Sequence, residues 1–224
     1  MRIQFPFISG AIVTFAILAL AVVVVRRSIG RSMGSGSGRI EQEARHLGLG
    51  YAAKGDKEFR ARFADLPEIP RSATIKHVMQ GRVGDRPIEV FEASYMIHTG
   101  QAPIMIAHTV YAAECPPWPV THITPRNILA RLAARLGRQT GLAMENAEFN
   151  RRFKVRTYDE DFAIALLSPE MQEFMLSKWS ARWRISPGRL CLIYRGTLKS
   201  DRMATSLARM TRFWELVPPE LERW

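Results

Sequence analysis

The sequence predicts an α+β protein built from an N-terminal transmembrane helix, a flexible linker and a mostly antiparallel sheet with several helices. Three observations predict it. An uncharged apolar run lies near the start of the chain, and a Gly/Ser tract follows it. Beyond that, short β-rich runs and amphipathic stretches succeed one another without the regular alternation that a doubly wound parallel sheet requires. The predicted layout is a short tail at residues 1–4, a transmembrane helix at 5–25, a basic Gly/Ser-rich linker at 26–45 and a soluble α+β domain at 46–224.

The anchor comes first. Phe5 to Val25 contains 21 residues and no charge. At about 1.5 Å per residue a helix of this length spans roughly 30 Å, the hydrocarbon thickness of a bilayer. Pro6 falls in the first turn, where its missing N–H costs little. A cleaved signal peptide is the rival reading, with Ala19-Leu20-Ala21 as the cleavage site. Against it, the apolar run continues through Val22–Val25 and then meets Arg26 and Arg27, as an anchored helix would. Arg2 precedes the helix, whereas Arg26, Arg27, Arg31, Arg39 and Arg45 follow it. The heavier positive flank is C-terminal, so the expected location is the cell inner membrane, single-pass, with the domain cytoplasmic.

Ser32 to Gly38 reads as flexible coil. Its glycines lack the Lys-Ser/Thr and the preceding strand of a phosphate-binding loop. Arg39 to Ala64 is rich in charge and helix formers and predicts one or two short helices, with Asp56 capping Lys57–Leu66. Pro67 and Pro70 end that stretch. Ala73–Arg82 and Arg86–His98 flank Val83-Gly84-Asp85 as a hairpin. Ile104–Ala113 is a third strand, prolines break the chain at 116–119, and Val120–Ile123 is a short fourth strand.

Thr124-Pro125 predicts a helix start, with Arg126–Leu136 helical and Ile128, Leu129, Leu132 and Leu136 on one face. Arg131, Arg135 and Arg138 form a stripe beside that face. Residues 146–156 predict a short helical turn feeding a strand at Phe153–Thr157. Asp159 caps a helix through Leu167, and Ser168-Pro169-Glu170 starts another to about Trp179. Arg182–Ser186 and Arg189–Tyr194 form a hairpin around Pro187-Gly188. Ser200/Asp201 opens a last helix with Leu207, Met210, Phe213 and Trp214 near one side.

The block Glu148 to Leu176 carries a pattern of Phe149-Asn150, a basic pair, Phe153, Val155, an acidic turn and Leu166-Leu167-Ser168-Pro169. With the Gly81–Tyr95 hairpin, it resembles a group of uncharacterised bacterial membrane-anchored proteins, a domain of unknown function with one or two N-terminal membrane helices. The resemblance covers about half of the soluble part and implies a membrane protein; it carries no activity and no catalytic residue.

The net charge is +11, with surpluses concentrated in residues 126–156 and 178–212. Such charge favours anionic lipid, nucleic acid or acidic proteins, and it also arises from an Arg-rich composition alone. Cys115 and Cys191 have neither disulfide-framework nor zinc spacing and read as buried hydrophobes, with one disulfide left open for an oxidising compartment. Of the five histidines, His98, His108 and His122 sit on neighbouring strand segments; none form a zinc-protease helix. Asp159, Glu160 and Asp161 complement a helix dipole. No nucleophile elbow, kinase signature or dinucleotide fingerprint is present.

The candidate binding patch is therefore Arg131, Arg135, Arg138, Asn150, Arg151 and Arg152, with Phe149 and Phe153 expected to pack as a core pair. No catalytic residue, cofactor or metal is expected. The expected function is a non-catalytic interaction or accessory module at the cytoplasmic membrane face, its partners being the membrane and a membrane or cytoplasmic protein; nucleic acid is not expected. The alternatives are a membrane-bound hydrolase or transferase with an unrecognised site, or a weak anionic-lipid or nucleic-acid binder.

Overall fold

The computed structural model describes residues 36–98, 100, 102–127, 141–177 and 181–224. The expected membrane helix at 5–25 and its flanking arginines up to Arg31 lie outside the described residues. Among the described residues no helix is long and apolar enough to cross a membrane.

Eight strands form one antiparallel sheet in the order β1-β2-β3-β4-β8-β7-β5-β6. They are β1 (Gly50–Lys54), β2 (Thr74–Val83), β3 (Arg86–His98), β4 (Pro103–Glu114), β5 (Thr121–Pro125), β6 (Phe153–Thr157), β7 (Arg182–Ser186) and β8 (Arg189–Arg195). The helices are α1 (36–46), α2 (Lys57–Ala61), α3 (Ala147–Arg152), α4 (Glu160–Leu166), α5 (Pro169–Ser177) and α6 (Ser200–Glu215), with a closing 3₁₀ turn at Pro219–Arg223.

Alternation along each strand sends side chains to two faces, and each face has its own core. The first carries Met79, Val90, Tyr111, Leu192, Trp183, Ile123 and Val155. It is covered by α1 and the helices after β5. α6 lays Met203, Leu207, Met210 and Phe213 on it at helical spacing, all buried. Each of these side chains contributes about 1.5–3 kcal/mol by leaving water. The second face carries Ile75, Phe91, Ala93, Val110, Ala112, Cys191 and Ile193. Among the described residues α2 and the turns behind it cover this face, through Phe59, Phe63, Leu66 and Ile69. Phe63 packs 4.6 Å from Phe91, centroid to centroid.

Several elements follow directly from local chemistry. Asp56 caps α2 by accepting from Phe59 N at 2.7 Å. Asp159 caps α4 by accepting from Phe162 N at 2.9 Å, which accounts for the first member of the acidic cluster. Phe149 and Phe153 are both buried and stack with centroids 5.0 Å apart. Trp118, after the proline break, is fully buried and donates from Nε1 to Leu221 O at 2.6 Å, tying the C-terminal turn to the core.

Four expectations need correction. The helix at 36–46 starts inside the Gly/Ser tract, where composition places coil, ahead of the helical stretch expected from Arg39; Ile40 and Ala44 are buried in the first core, and that burial outweighs the low propensity of Gly36 and Gly38. Gly50–Lys54 is a strand rather than helix, because it pairs with β2 from Gly50↔Gln80 to Lys54↔Lys76. α2 stops at Ala61 and continues as turns. Thr124-Pro125 does not start a helix: both belong to β5, paired with Lys154 and Phe153. The Thr124 hydroxyl is taken by Arg184 Nη1 at 3.1 Å and so is not a helix cap. The rest of the expected helix, from residue 128, lies outside the described residues, as do residues 178–180.

Candidate functional site

Where β8 ends and α6 begins, the chain encloses a cleft of about 400 Å³ on the first face. Its floor is sheet: Thr109 and Tyr111 from β4, Tyr194 and Arg195 from β8. Its rim is the connection Gly196–Lys199, and its wall is the Arg202, Thr205, Ser206 and Arg209 side of α6. The spacing of those four residues is helical, so the core stripe fixes the direction in which they point.

The rim is held by specific bonds. Gly196 has φ +118°, a conformation that glycine supplies without strain. Its N–H donates to Ala107 O at 2.8 Å, and its carbonyl accepts from Thr109 Oγ1 at 3.1 Å. Leu198 N donates to the buried Glu92 Oε2 at 2.9 Å. Ser200 is the first residue of α6 and Lys199 its cap, and no side chain caps the helix. Arg202 N donates to Lys199 O at 3.1 Å, and the N–H groups of Ser200 and Asp201 stand at the positive end of the helix dipole.

The electrostatics are one-sided. Lys199, Arg202 and Arg209 line the cleft together with six hydroxyl-bearing residues, while Arg195, opposite His108, contributes its backbone and sends its side chain to the second face; the described lining contains no carboxylate, imidazole or thiol. Arg209 bonds to the Tyr194 hydroxyl and sits over that ring at 5.7 Å. Arg195, Lys199 and Arg202 have no carboxylate partner among the described residues. Burial pushes the Tyr111 phenol up to about 12, against the opposing hydrogen bond with Ser206, so it stays a neutral donor at physiological pH. Cations and hydroxyl donors around a helix start can hold a multivalent oxyanion.

The residues singled out from sequence are placed elsewhere. Arg131, Arg135 and Arg138 lie outside the described residues. Asn150 is 8% exposed and closes on Met144. It accepts from Met144 N at 2.8 Å and donates to Met144 O at 2.5 Å. Arg151 and Arg152 come together on Glu148, with Arg152 Nε 2.5 Å from Oε1. Those two hydrogen bonds hold the Glu148 carboxyl below its ordinary value.

His108 and His122 point to the second face but are separated by β8 and β7, three strand spacings or about 14 Å. Burial lowers both, and neighbouring arginines add to it. Cys115 and Cys191 are free thiols, each pushed up to about 12 by burial, and neither is poised as a nucleophile. Among the described residues no three His, Cys, Asp or Glu side chains gather as a metal site.

The second face carries a buried ion pair. Arg184 Nη2 lies 2.7 Å from Glu68 Oε1, their side chains 11% and 8% exposed. Burial pushes the Glu68 carboxyl up, and the hydrogen bond and charge of Arg184 more than reverse it, leaving it below its ordinary value.

The cleft residues escaped the sequence reading, although the surplus of positive charge in residues 178–212 was their signal. Their convergence depends on β8 pairing with β4, a separation of some 80 residues that no local pattern encodes.

Fold and cleft define an α+β domain, with one antiparallel sheet backed by helices and a cation-lined cleft at one end. No family model and no curated protein matches the chain. Among solved structures the chain is similar to the mycobacterial trehalose monomycolate transport factor A, TtfA. The TM-score is 0.54 at 13% identity, covering 82% of this chain and 96% of that one. At that identity the likeness is one of fold.

Proposed function

We propose that the chain is a membrane-tethered accessory factor that holds an anionic group, a phosphate or phosphate ester, and does not transform it. In this reading residues 5–25 anchor it in the cell inner membrane, the domain faces the cytoplasm, and it serves a transport assembly through a membrane or cytoplasmic protein partner. The carrying observation is the cleft: Lys199, Arg202 and Arg209 with hydroxyl donors, and no carboxylate or imidazole among its described lining residues. The resemblance of fold to a protein named as a transport factor supports the accessory role. The heavier C-terminal positive flank of the apolar run supports the topology.

The test is calorimetric titration of inorganic pyrophosphate into the detergent-solubilised full chain. Binding that weakens with salt and is lost in Lys199→Gln/Arg202→Gln agrees with the proposal. An identical titration of the variant overturns the assignment of the cleft. Release of phosphate from an added phosphate ester, abolished by the same variant, overturns the non-catalytic reading in favour of a hydrolase.

A further inference from the structure

β3 and β4 outrun their neighbours. β2 leaves β3 at Thr74↔Ser94, and β8 leaves β4 at His108↔Arg195. Beyond those points β3 and β4 pair only with each other, through Tyr95↔Ile106, Met96↔Met105, Ile97↔Ile104 and His98↔Pro103. Four residue pairs make an arm of about 13 Å.

The composition of this arm is unlike that of an ordinary free edge. From Ala93 to Ala107 there is no Asp, Glu, Lys or Arg. Met96, Ile97, Ile104 and Met105 are 50%, 39%, 47% and 60% exposed. Directly opposed residues share a face, so Met96 and Met105 point one way and Ile97 and Ile104 the other. The arm is apolar on both sides, and among the described residues no strand pairs with either of its edges. Exposed strands are normally blunted by lysine or a bulge, and this one has neither. A two-sided apolar blade cannot be the lid of one core; it suits immersion in an apolar medium.

Its surroundings are cationic. The same end of the sheet carries Lys54 opposite Lys76, Arg182 at the start of β7, Arg195 at the end of β8, and Lys199. Among the acids there, Asp56 is occupied in capping α2, Glu92 is buried on Leu198 N, and Glu58 and Asp201 stand in the first turns of α2 and α6.

The chain also enters the domain at this end. The turn after α1 leads to Gly50, which pairs with Gln80 well away from the arm. Ser37, in the first turn of α1, lies 3.3 Å from the Tyr51 hydroxyl, which bonds His77 Nδ1 at 2.8 Å, nearer the arm. α1 therefore runs back along β1, and its beginning faces the arm end.

We infer that the β3–β4 arm inserts into an anionic bilayer, with Lys54, Lys76, Arg182, Arg195 and Lys199 meeting the lipid headgroups around it. The choice of a bilayer rests on the anchored reading of residues 5–25. A headgroup layer is about 7 Å deep, so an arm of this length reaches the acyl boundary. A second copy of the chain is disfavoured because two cationic ends would face each other. The cation ring matches the negative surface of an anionic leaflet.

The test uses the full chain with Cys115→Ala, reconstituted into vesicles of phosphatidylcholine with phosphatidylglycerol and into pure phosphatidylcholine. An environment-sensitive fluorophore is placed at Met105→Cys, at Ile97→Cys on the other side of the arm, and at Asp85→Cys in the turn at the opposite end. Circular dichroism checks that each variant is folded. The expected result is blue-shifted emission, quenched by lipid-borne spin label, at both arm positions in the phosphatidylglycerol vesicles. Emission at Asp85→Cys stays water-like, and the arm signals weaken in pure phosphatidylcholine.

Water-like emission at both arm positions in a chain that resists carbonate extraction overturns the inference and leaves the anchor standing. Extraction by carbonate refutes the anchor itself. Equal burial in both lipids overturns the role of anionic lipid. Burial without lipid quenching, whether against a second copy or only in native membranes against a protein, overturns the bilayer as occupant.

Discussion

Removing Glu68 leaves Arg184 charged, nearly buried and without its counter-ion. The guanidinium lies with Nη2 at 2.7 Å and Nε at 3.4 Å from the two carboxylate oxygens. Two unit charges about 4 Å apart at an effective dielectric of 20 attract by about 4 kcal/mol. Breaking one partner out of a buried pair costs about 3–5 kcal/mol, and we expect Glu68→Ala to fall in that range. Thr124 still accepts from Arg184 Nη1 at 3.1 Å, which favours the lower half. The assay is denaturant unfolding of the detergent-solubilised full chain, read by tryptophan fluorescence, since Trp118 and Trp183 are buried. Glu41→Ala serves as control: its bond to Arg45 joins side chains 75% and 39% exposed and contributes at most about 1 kcal/mol. The sign with pH follows from the folded carboxyl being held low. Its stabilisation is complete above about 4.3, the unfolded value, and is lost as pH falls through the folded one. Glu68→Gln should therefore flatten the acid limb. A loss no larger than that of the control would refute the view that this pair clamps residues 62–73 to β7.

Two further outcomes are expected. His77, His108 and His122 are all lowered chiefly by burial, so the unfolded chain binds more protons once pH drops below about 6.5. Stability should rise with pH up to that point and level off, with a slope of at most about 1.4 kcal/mol per pH unit for each histidine. His108→Leu should lessen the slope, and a profile unchanged by it would contradict the burial argument. Asn150→Ala should cost about 2–4 kcal/mol, because it strands both the N–H and the carbonyl of Met144. Arg151→Gln should stay within about 0.5 kcal/mol, and equal losses in thermal unfolding would contradict the assignment of Asn150 to the interior.

Elements with a local cause were legible in the sequence. The hairpin around Gly84, the turn at Pro187-Gly188, the Asp159 cap and the Phe149/Phe153 pair all fall where spacing put them. Elements decided by distant partners were not. Gly50–Lys54 contains the helix formers Ala52, Ala53 and Lys54 and becomes a strand because it pairs with β2. Thr124-Pro125 has the chemistry of a helix start, but the ladder to β6 claims it first. Residues 36–38 are poor helix formers, and Ile40 and Ala44 nonetheless hold them in a helix. The arm was hidden for another reason: Ile104–Ala113 reads as one apolar run, and nothing local tells its buried half from its exposed half. Only the ends of β2 and β8 make that division.

Charge presents the same problem at the candidate site. Residues 178–212 hold a run of basic side chains whose sum predicts either a solvated face or an anion surface. The fold separates them. Arg184, Arg189 and Arg212 each meet a carboxylate, on Glu68, Asp65 and Glu215. Their charge is met within the domain, by a buried pair on Arg184 and by more exposed ones on Arg189 and Arg212. Lys199 and Arg202 meet none among the described residues, and they border one cleft at an uncapped helix start. Like charges gathered without a counter-ion raise the energy of the empty protein, and a bound anion relieves that repulsion. The surplus that matters is therefore this unpaired remainder, and exchanging Arg184 or Arg189 should alter stability while exchanging Lys199 or Arg202 alters binding.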